Sequence, residues 1–185
     1  MPDQMTTRDD ALQRASRIKL MIFDVDGVLT DGALYFNHEG EEFKVFNSLD
    51  GHGMRMLRES GVRLAIITGR KASCVEWRMK NLRIDLLLQG VDNKLAALKG
   101  LLEELGLTPE ETGFMGDDVI DLQVMDHCGF SAAPANAHAL AKQYARLVTE
   151  RTGGFGAARE VCEFILDAQG KLDDALAPYL PAPAQ

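Results

Sequence analysis

The chain has 185 residues, enough for one domain with a sizeable core, and its 46% hydrophobic and 26% charged residues describe a globular fold rather than a disordered one. A net charge of −8 leaves no basic stripe to neutralise phosphates, which argues against a nucleic-acid partner; an anionic substrate would need a local cluster of Arg, Lys, backbone N–H groups or a metal. Cys74, Cys128 and Cys162 are odd in number with no CxxC pair, and the four histidines lack ligand spacing, so neither a disulfide framework nor a Cys/His metal site is expected.

Asp3, Asp9 and Asp10 interrupt the N-terminus and no apolar run approaches a membrane span, so the expectation is a soluble, cytoplasmic protein with no membrane partner. Residues 1–17 read as a helical extension, with a helix over 6–17 capped by Thr6 or Thr7. A strand follows over 18–23, and its apolar run LMIF suits a strand covered on both faces of a parallel sheet. Residues 33–46 read as a β-hairpin: two β-prone, aromatic-rich pieces flank the turn cluster Asn37-His38-Glu39-Gly40. An isolated hairpin is marginal in water, so this one packs either on the mouth of its own domain or on another subunit.

Beyond Gly51 the pattern alternates. Helices are expected over 52–60, 71–82, 93–105, 118–127, 136–145 and 157–169, with strands over 62–67, 84–88, 113–115, 129–132 and 147–149. Strands alternating with helices of this length mean a doubly wound parallel sheet with right-handed crossovers, an α/β, Rossmann-like fold over residues 18–172. Residues 173–185 end in a Pro/Ala-rich piece and are expected to be a mobile tail.

Polar residues collect where strands run out. Asp24 and Asp26 follow LMIF, with Gly27 allowing the chain to turn away. Thr68-Gly69-Arg70 follows VRLAII, Gly116-Asp117-Asp118 follows the short strand near Phe114, and Asp121 is one turn further on. Lys94 opens the helix after IDLLLQG. Each piece has a plain structural alternative: Asp, Thr and Asp-Asp all cap helices and loops. Together they would converge at one rim. Several carboxylates in one space repel each other unless a cation compensates them, and an all-oxygen set calls for a hard one, Mg²⁺. A magnesium ion, a lysine, a hydroxyl and helix N–H groups make a phosphoryl site. Asp24 could then attack phosphorus to give an aspartyl-phosphate, with Asp26 as acid/base.

In the order DVDGVLTDG, IITGR, Lys94 and GDDVIDLQVM, the sequence resembles the haloacid dehalogenase (HAD) superfamily of phosphatases. Longer stretches, GEEFKVFNSLDGHGM and GGFGAAREVCEFILDAQGKL among them, are similar to the 3-deoxy-D-manno-octulosonate 8-phosphate phosphatase family. The resemblance implies a capless HAD-like fold and a Mg²⁺-dependent phosphoric monoester hydrolase of lipopolysaccharide synthesis, acting on a phosphorylated sugar acid. It implies Asp24 as nucleophile and metal ligand, and Asp26 as acid/base, substrate contact and metal ligand through its carbonyl. Asp117 would be the third metal ligand, with Asp118 behind it. Thr68 and Lys94 would steady the phosphoryl group, and Asn47, Ser48, Leu49, Asp50, Gly51, Arg55, Arg70 and Arg78, with Lys94, would meet substrate. It further implies a homotetramer in which the hairpin of one subunit closes the site of the next. A nine-carbon ulosonic acid phosphate is the alternative substrate. A phosphorelay receiver is a different class, disfavoured because its acid pair comes first and its phosphoacceptor later. A catalytically silent binding domain is a third, disfavoured by the presence of Asp26.

Overall fold

The computed structural model describes residues 8–181. Its centre is β1, Leu20–Phe23, whose four side chains are all buried. Successive residues of a strand face opposite ways. Met21 and Phe23 therefore enter one apolar cluster, and Leu20 and Ile22 enter the other. On one side β1 pairs in parallel with β4, Arg63–Ile67, which pairs with β5, Leu86–Leu88. On its other side β1 pairs with β6, Thr112–Met115, followed by β7, Phe130–Ala133, and β8, Leu147–Val148. The order β5-β4-β1-β6-β7-β8 reverses direction at β1, and the crevice at such a switch point is where open α/β sheets bind ligands. This is the doubly wound parallel sheet expected from the sequence.

Helices cover both faces. The first cluster takes residues from α1, Arg8–Ala15, α2, Ser48–Glu59, α3, Ser73–Leu82, and α7, Ala157–Ala168. The second takes them from α4, Lys94–Leu105, α5, Leu122–His127, and α6, Ala139–Tyr144. The proposed caps Thr6 and Thr7 lie outside the described residues.

The hairpin is present between β1 and α2, with β2, Tyr35–Phe36, antiparallel to β3, Glu42–Phe43. Its ladder is shorter than the sequence suggests. The Asp31 carboxylate accepts from Ala33 N and the Tyr35 hydroxyl, which bends the approach, while Asn37 Oδ1 accepts from Glu39 N and Glu41 N to close the turn. Tyr35 stacks on Phe43 at 5.5 Å.

Three boundaries differ from expectation for identifiable reasons. Helix α2 starts at Ser48 rather than 52, because Asn47 caps it by accepting from Leu49 N at 2.8 Å. Its glycines suggest a later start, but they serve close approach: a Cβ on Gly51 would lie 2.2 Å from Arg78 Nη2. The helix expected over 118–127 begins instead as a 3-10 turn, Val119–Asp121, before α5. The expected mobile tail starts as α8, Leu172–Leu176, and a 3-10 turn, Ala177–Tyr179. Leu172, Ala175 and Leu176 pack on the core, and Tyr179 meets His52 edge-on at 4.9 Å. Residues 182–185 lie outside the described residues.

Candidate active site

Register brings the polar strand ends together. Phe23 is level with Ile66 in β4 and Met115 in β6, so Asp24, Thr68 and Asp117 leave the sheet at the same rim. They line a cleft of about 250 Å³ with Asp26, Gly27, Gly69, Arg70, Asp118 and Ile120. Asp24 is buried and held at both oxygens: Oδ1 accepts from Val25 N at 2.7 Å, and Oδ2 from Lys94 Nζ at 2.7 Å. Thr68 is buried at the end of β4, its N–H donating to Leu88 O and its carbonyl accepting from Val91 N.

Lys94, the first residue of α4, also donates to Asp121 Oδ1 at 2.6 Å. A cation at a helix N-terminus opposes the macrodipole, and here two carboxylates outweigh it. Burial lowers its basicity, but Asp24 and Asp121 raise it further, and the net direction is upward. Asp121 is fully buried and uses both oxygens, the second accepting from Asp117 N at 3.0 Å and Asp118 N at 3.3 Å. It therefore ties the Asp117-Asp118 turn to Lys94. The sequence placed Asp121 at the rim without a role; its spacing of three from Asp118 is that of a capping box.

Charge accumulates here. Burial, reinforced by Asp121, pushes the Asp24 carboxyl up to about 6. Burial together with Asp24, Asp121 and Asp118 pushes Asp117 up to about 7. Oxygens of Asp24, Asp117 and Asp121 all lie within 4.8 Å of one another. Such raised values mean that ionising both Asp24 and Asp117 leaves more negative charge than Lys94 neutralises. An oxygen-only, over-charged cluster fits a hard divalent cation. Asp24 and Asp117 line the cleft and Asp121 does not, so Asp24 and Asp117 are the side chains of the three that a cation in the cleft would meet. The Gly27 backbone crowds that pocket: a Cβ there would lie 2.0 Å from Asp117 Oδ2.

Asp26 lines the same cleft but pairs with cations outside this cluster. Its carboxylate meets Lys44 Nζ at 2.5 Å and Arg70 Nε at 4.0 Å, and Lys44 also donates to Glu42 at 2.6 Å. Lys44 and Glu42 were not singled out from the sequence. The signal available was a lysine between Phe43 and Val45 in a ribbon otherwise apolar at that point.

Close relatives match about nine-tenths of this chain. A family model for haloacid dehalogenase-like hydrolases matches residues 77–159. The 3-deoxy-D-manno-octulosonate 8-phosphate phosphatase of Escherichia coli is 51% identical over 90% of this chain and 88% of its own. The chain belongs to the 3-deoxy-D-manno-octulosonate 8-phosphate phosphatase family of haloacid dehalogenase-like hydrolases. Among solved structures, a probable YrbI family phosphatase of Pseudomonas syringae superposes with TM-score 0.92 at 50% identity, over 94% of this chain and 99% of its own. The Moraxella catarrhalis 3-deoxy-D-manno-octulosonate 8-phosphate phosphatase, solved with magnesium, phosphate and KDO, gives TM-score 0.91 at 42% identity, over 93% and 99%.

This member of the phosphatase family has a six-stranded sheet and a two-stranded ribbon. Not every residue expected at the site reaches it within one chain. Asp50 accepts from Gly156 N and Arg159 N and so caps α7. Asn47 Nδ2 donates to Gly154 O at 3.1 Å, and Arg78 Nη2 donates to Asn47 O at 3.2 Å. Ser48 and Leu49 are exposed at the start of α2. Arg55 pairs with Glu59 beside a separate hollow that includes Arg58 and Asn81. The segment 47–51 instead anchors the glycine loop 153–156, which supports the loop after Asp24: Gly154 N donates to Val28 O, and a Cβ on Gly153 would lie 1.8 Å from Gly27 O.

Proposed function

We propose that this chain hydrolyses 3-deoxy-D-manno-octulosonate 8-phosphate to 3-deoxy-D-manno-octulosonate and phosphate, a step toward lipopolysaccharide. The observation that carries the reading is the buried Asp24, oriented by Lys94 and Val25 N and opening on a cleft shared with Asp26 and Thr68. Asp24 forms an O–P bond as the ester P–O bond breaks, and Asp26 gives its proton to the departing alkoxide. Asp26 then removes a proton from water as that water attacks the aspartyl-phosphate, returning Asp24 to its carboxylate. Lys94 and the Thr68 hydroxyl steady the phosphoryl oxygens. Asp24, Asp117 and the Asp26 carbonyl, with Asp118 behind them, would hold magnesium, which would neutralise charge between phosphate and carboxylates. Arg70 at the rim suits the sugar carboxylate.

We read the assembly as a homotetramer in the cytoplasm. Leu34, Phe36, Phe43 and Val45 of the ribbon and Phe155 of the glycine loop are about half exposed, more apolar area than a monomer benefits from. Stacked against a neighbour they would close the cleft and exclude water, and Asn47, Ser48, Leu49, Arg55 and Arg78 would meet substrate at that junction, with Asp50 and Gly51 buried behind them. Among the described residues no helix is long and apolar enough to cross a membrane.

The test is Mg²⁺-dependent phosphate release from eight- and nine-carbon ulosonic acid phosphates beside simple sugar phosphates. The eight-carbon ester should have the largest kcat/KM. A preference for the nine-carbon ester changes the substrate, and release of a single equivalent without turnover returns the chain to the receiver class.

A further inference from the structure

Lys44 differs from the other cations around the cleft. Its side chain is 1% exposed, although its ribbon neighbours Phe43 and Val45 stand about half in solvent. A lysine on a surface ribbon ordinarily lets its ammonium reach water. This one folds under the ribbon, where an ammonium is tolerated only if paired. Its partners are Asp26 Oδ1 at 2.5 Å and Glu42 Oε1 at 2.6 Å. Glu42 Oε2 in turn accepts from Arg70 Nη2 at 3.0 Å, and Arg70 Nε lies 4.0 Å from Asp26 Oδ2. Asp26, Lys44, Glu42 and Arg70 therefore close a ring of alternating charge, two members from the ribbon and two from the rim of the sheet.

Strands of two residues give the ribbon little stability of its own. The ring supplies a link between ribbon and rim, and it ends on one oxygen of the acid/base. We infer that Lys44 is a positioning residue for Asp26: it holds Oδ1 so that the other oxygen addresses the leaving group, and it makes a formed ribbon a condition for proton transfer. Lys44 does not border the cleft, so it acts through Asp26 rather than on substrate. The inference rests on Asp26 being the acid/base. In the affected step the Asp26 carboxyl proton passes to the ester oxygen while the P–O bond breaks and Asp24 bonds to phosphorus.

Leaving-group dependence separates positioning from mere support. A sugar alkoxide needs that proton, whereas p-nitrophenolate leaves without one. With saturating Mg²⁺, Lys44→Met should lower kcat/KM for the sugar phosphate by about tenfold or more, but for p-nitrophenyl phosphate by less than about threefold. Lys44→Arg should recover most of the loss, and Lys44→Met should change nothing further in an Asp26→Asn background. Glu42→Gln, which removes one anchor and keeps the ammonium, should show the same split at smaller size and serves if Lys44→Met does not fold. Equal losses on both esters, or no loss, in an enzyme whose wild type turns over the sugar phosphate overturn the role of Lys44 and leave the proposed function standing. A wild type that turns over neither ester overturns both.

Discussion

Lys94 Nζ donates to Asp24 Oδ2 across 2.7 Å, with both side chains nearly out of reach of water. The same ammonium holds Asp121, which in turn holds the two amides of the Asp117-Asp118 turn. One cation thus orients Asp24 after β1 and, through Asp121, the Asp117-Asp118 turn after β6. The arrangement is costly to leave half made, because a buried carboxylate without its partner loses hydration and gains nothing.

Lys94→Met should therefore destabilise as well as inactivate. Removing the cation leaves Asp24 and Asp121 buried together, and breaking a buried pair costs about 3 kcal/mol or more. Denaturant unfolding near neutral pH measures it, and the loss should shrink in acid as the carboxylates take up protons. A loss under about 1 kcal/mol would mean that the pair contributes little to folding.

Asp24→Asn keeps the shape and the hydrogen bond from Val25 N but removes the attacking charge. Phosphate release should fall to background while circular dichroism and oligomeric state stay as in the wild type. Activity near wild type would remove Asp24 as the nucleophile.

Metal affinity and pH should be linked. Asp24 and Asp117 are raised from 3.8 to about 6 and about 7, so between about pH 4 and 7 the metal-free native state holds more protons than the unfolded chain. Its stability should fall as pH rises through that window, and Mg²⁺, which needs both groups ionised, should restore it. The rise in Tm on adding Mg²⁺ should be small near pH 5 and large near pH 8. A rise that is the same at both would rule out these two carboxylates as the coupled ligands.

Much of this was legible in the sequence because it depends on period and strand ends. LMIF announced a two-sided strand, and the rim positions of Asp24, Thr68 and Asp117 follow from parallel register. What was not legible depends on which groups meet through space. Lys44 is one residue past β3, and only the bend of the ribbon carries it to Asp26. The resemblance puts Asp50 at substrate, and it is the distant α7 that claims its carboxylate. Gly51 lies just before the expected helix over 52–60 and Gly53 inside it, and nothing in the sequence tells that Arg78 and Arg159 pack against them.

Asp50 gives a prediction of its own. It is buried, and its carboxylate satisfies two amides at the start of α7, one of them Arg159 N at 2.9 Å. Asp50→Ala orphans them and should cost about 1–3 kcal/mol of unfolding free energy. Asp50→Asn, which keeps one acceptor, should cost less. If both variants unfold as the wild type does while KM rises, Asp50 serves substrate rather than the fold.

Gly27 and Gly32 form a matched pair for the last prediction. Both have positive φ, 81° and 79°, so alanine at either carries a similar backbone strain, about 1 kcal/mol. Their surroundings differ. A Cβ at Gly32 would come no closer than 3.4 Å to the Gly27 Cα, whereas one at Gly27 would lie 2.0 Å from Asp117 Oδ2. Gly27→Ala must therefore push the Asp117 carboxylate out of its place beside Asp24, and Gly32→Ala need not. Both should unfold slightly earlier than the wild type, but only Gly27→Ala should lose Mg²⁺ affinity, by about tenfold or more in a calorimetric titration. Equal affinities in the two variants would show that Asp117 tolerates displacement and that the metal pocket does not depend on the missing side chain at position 27.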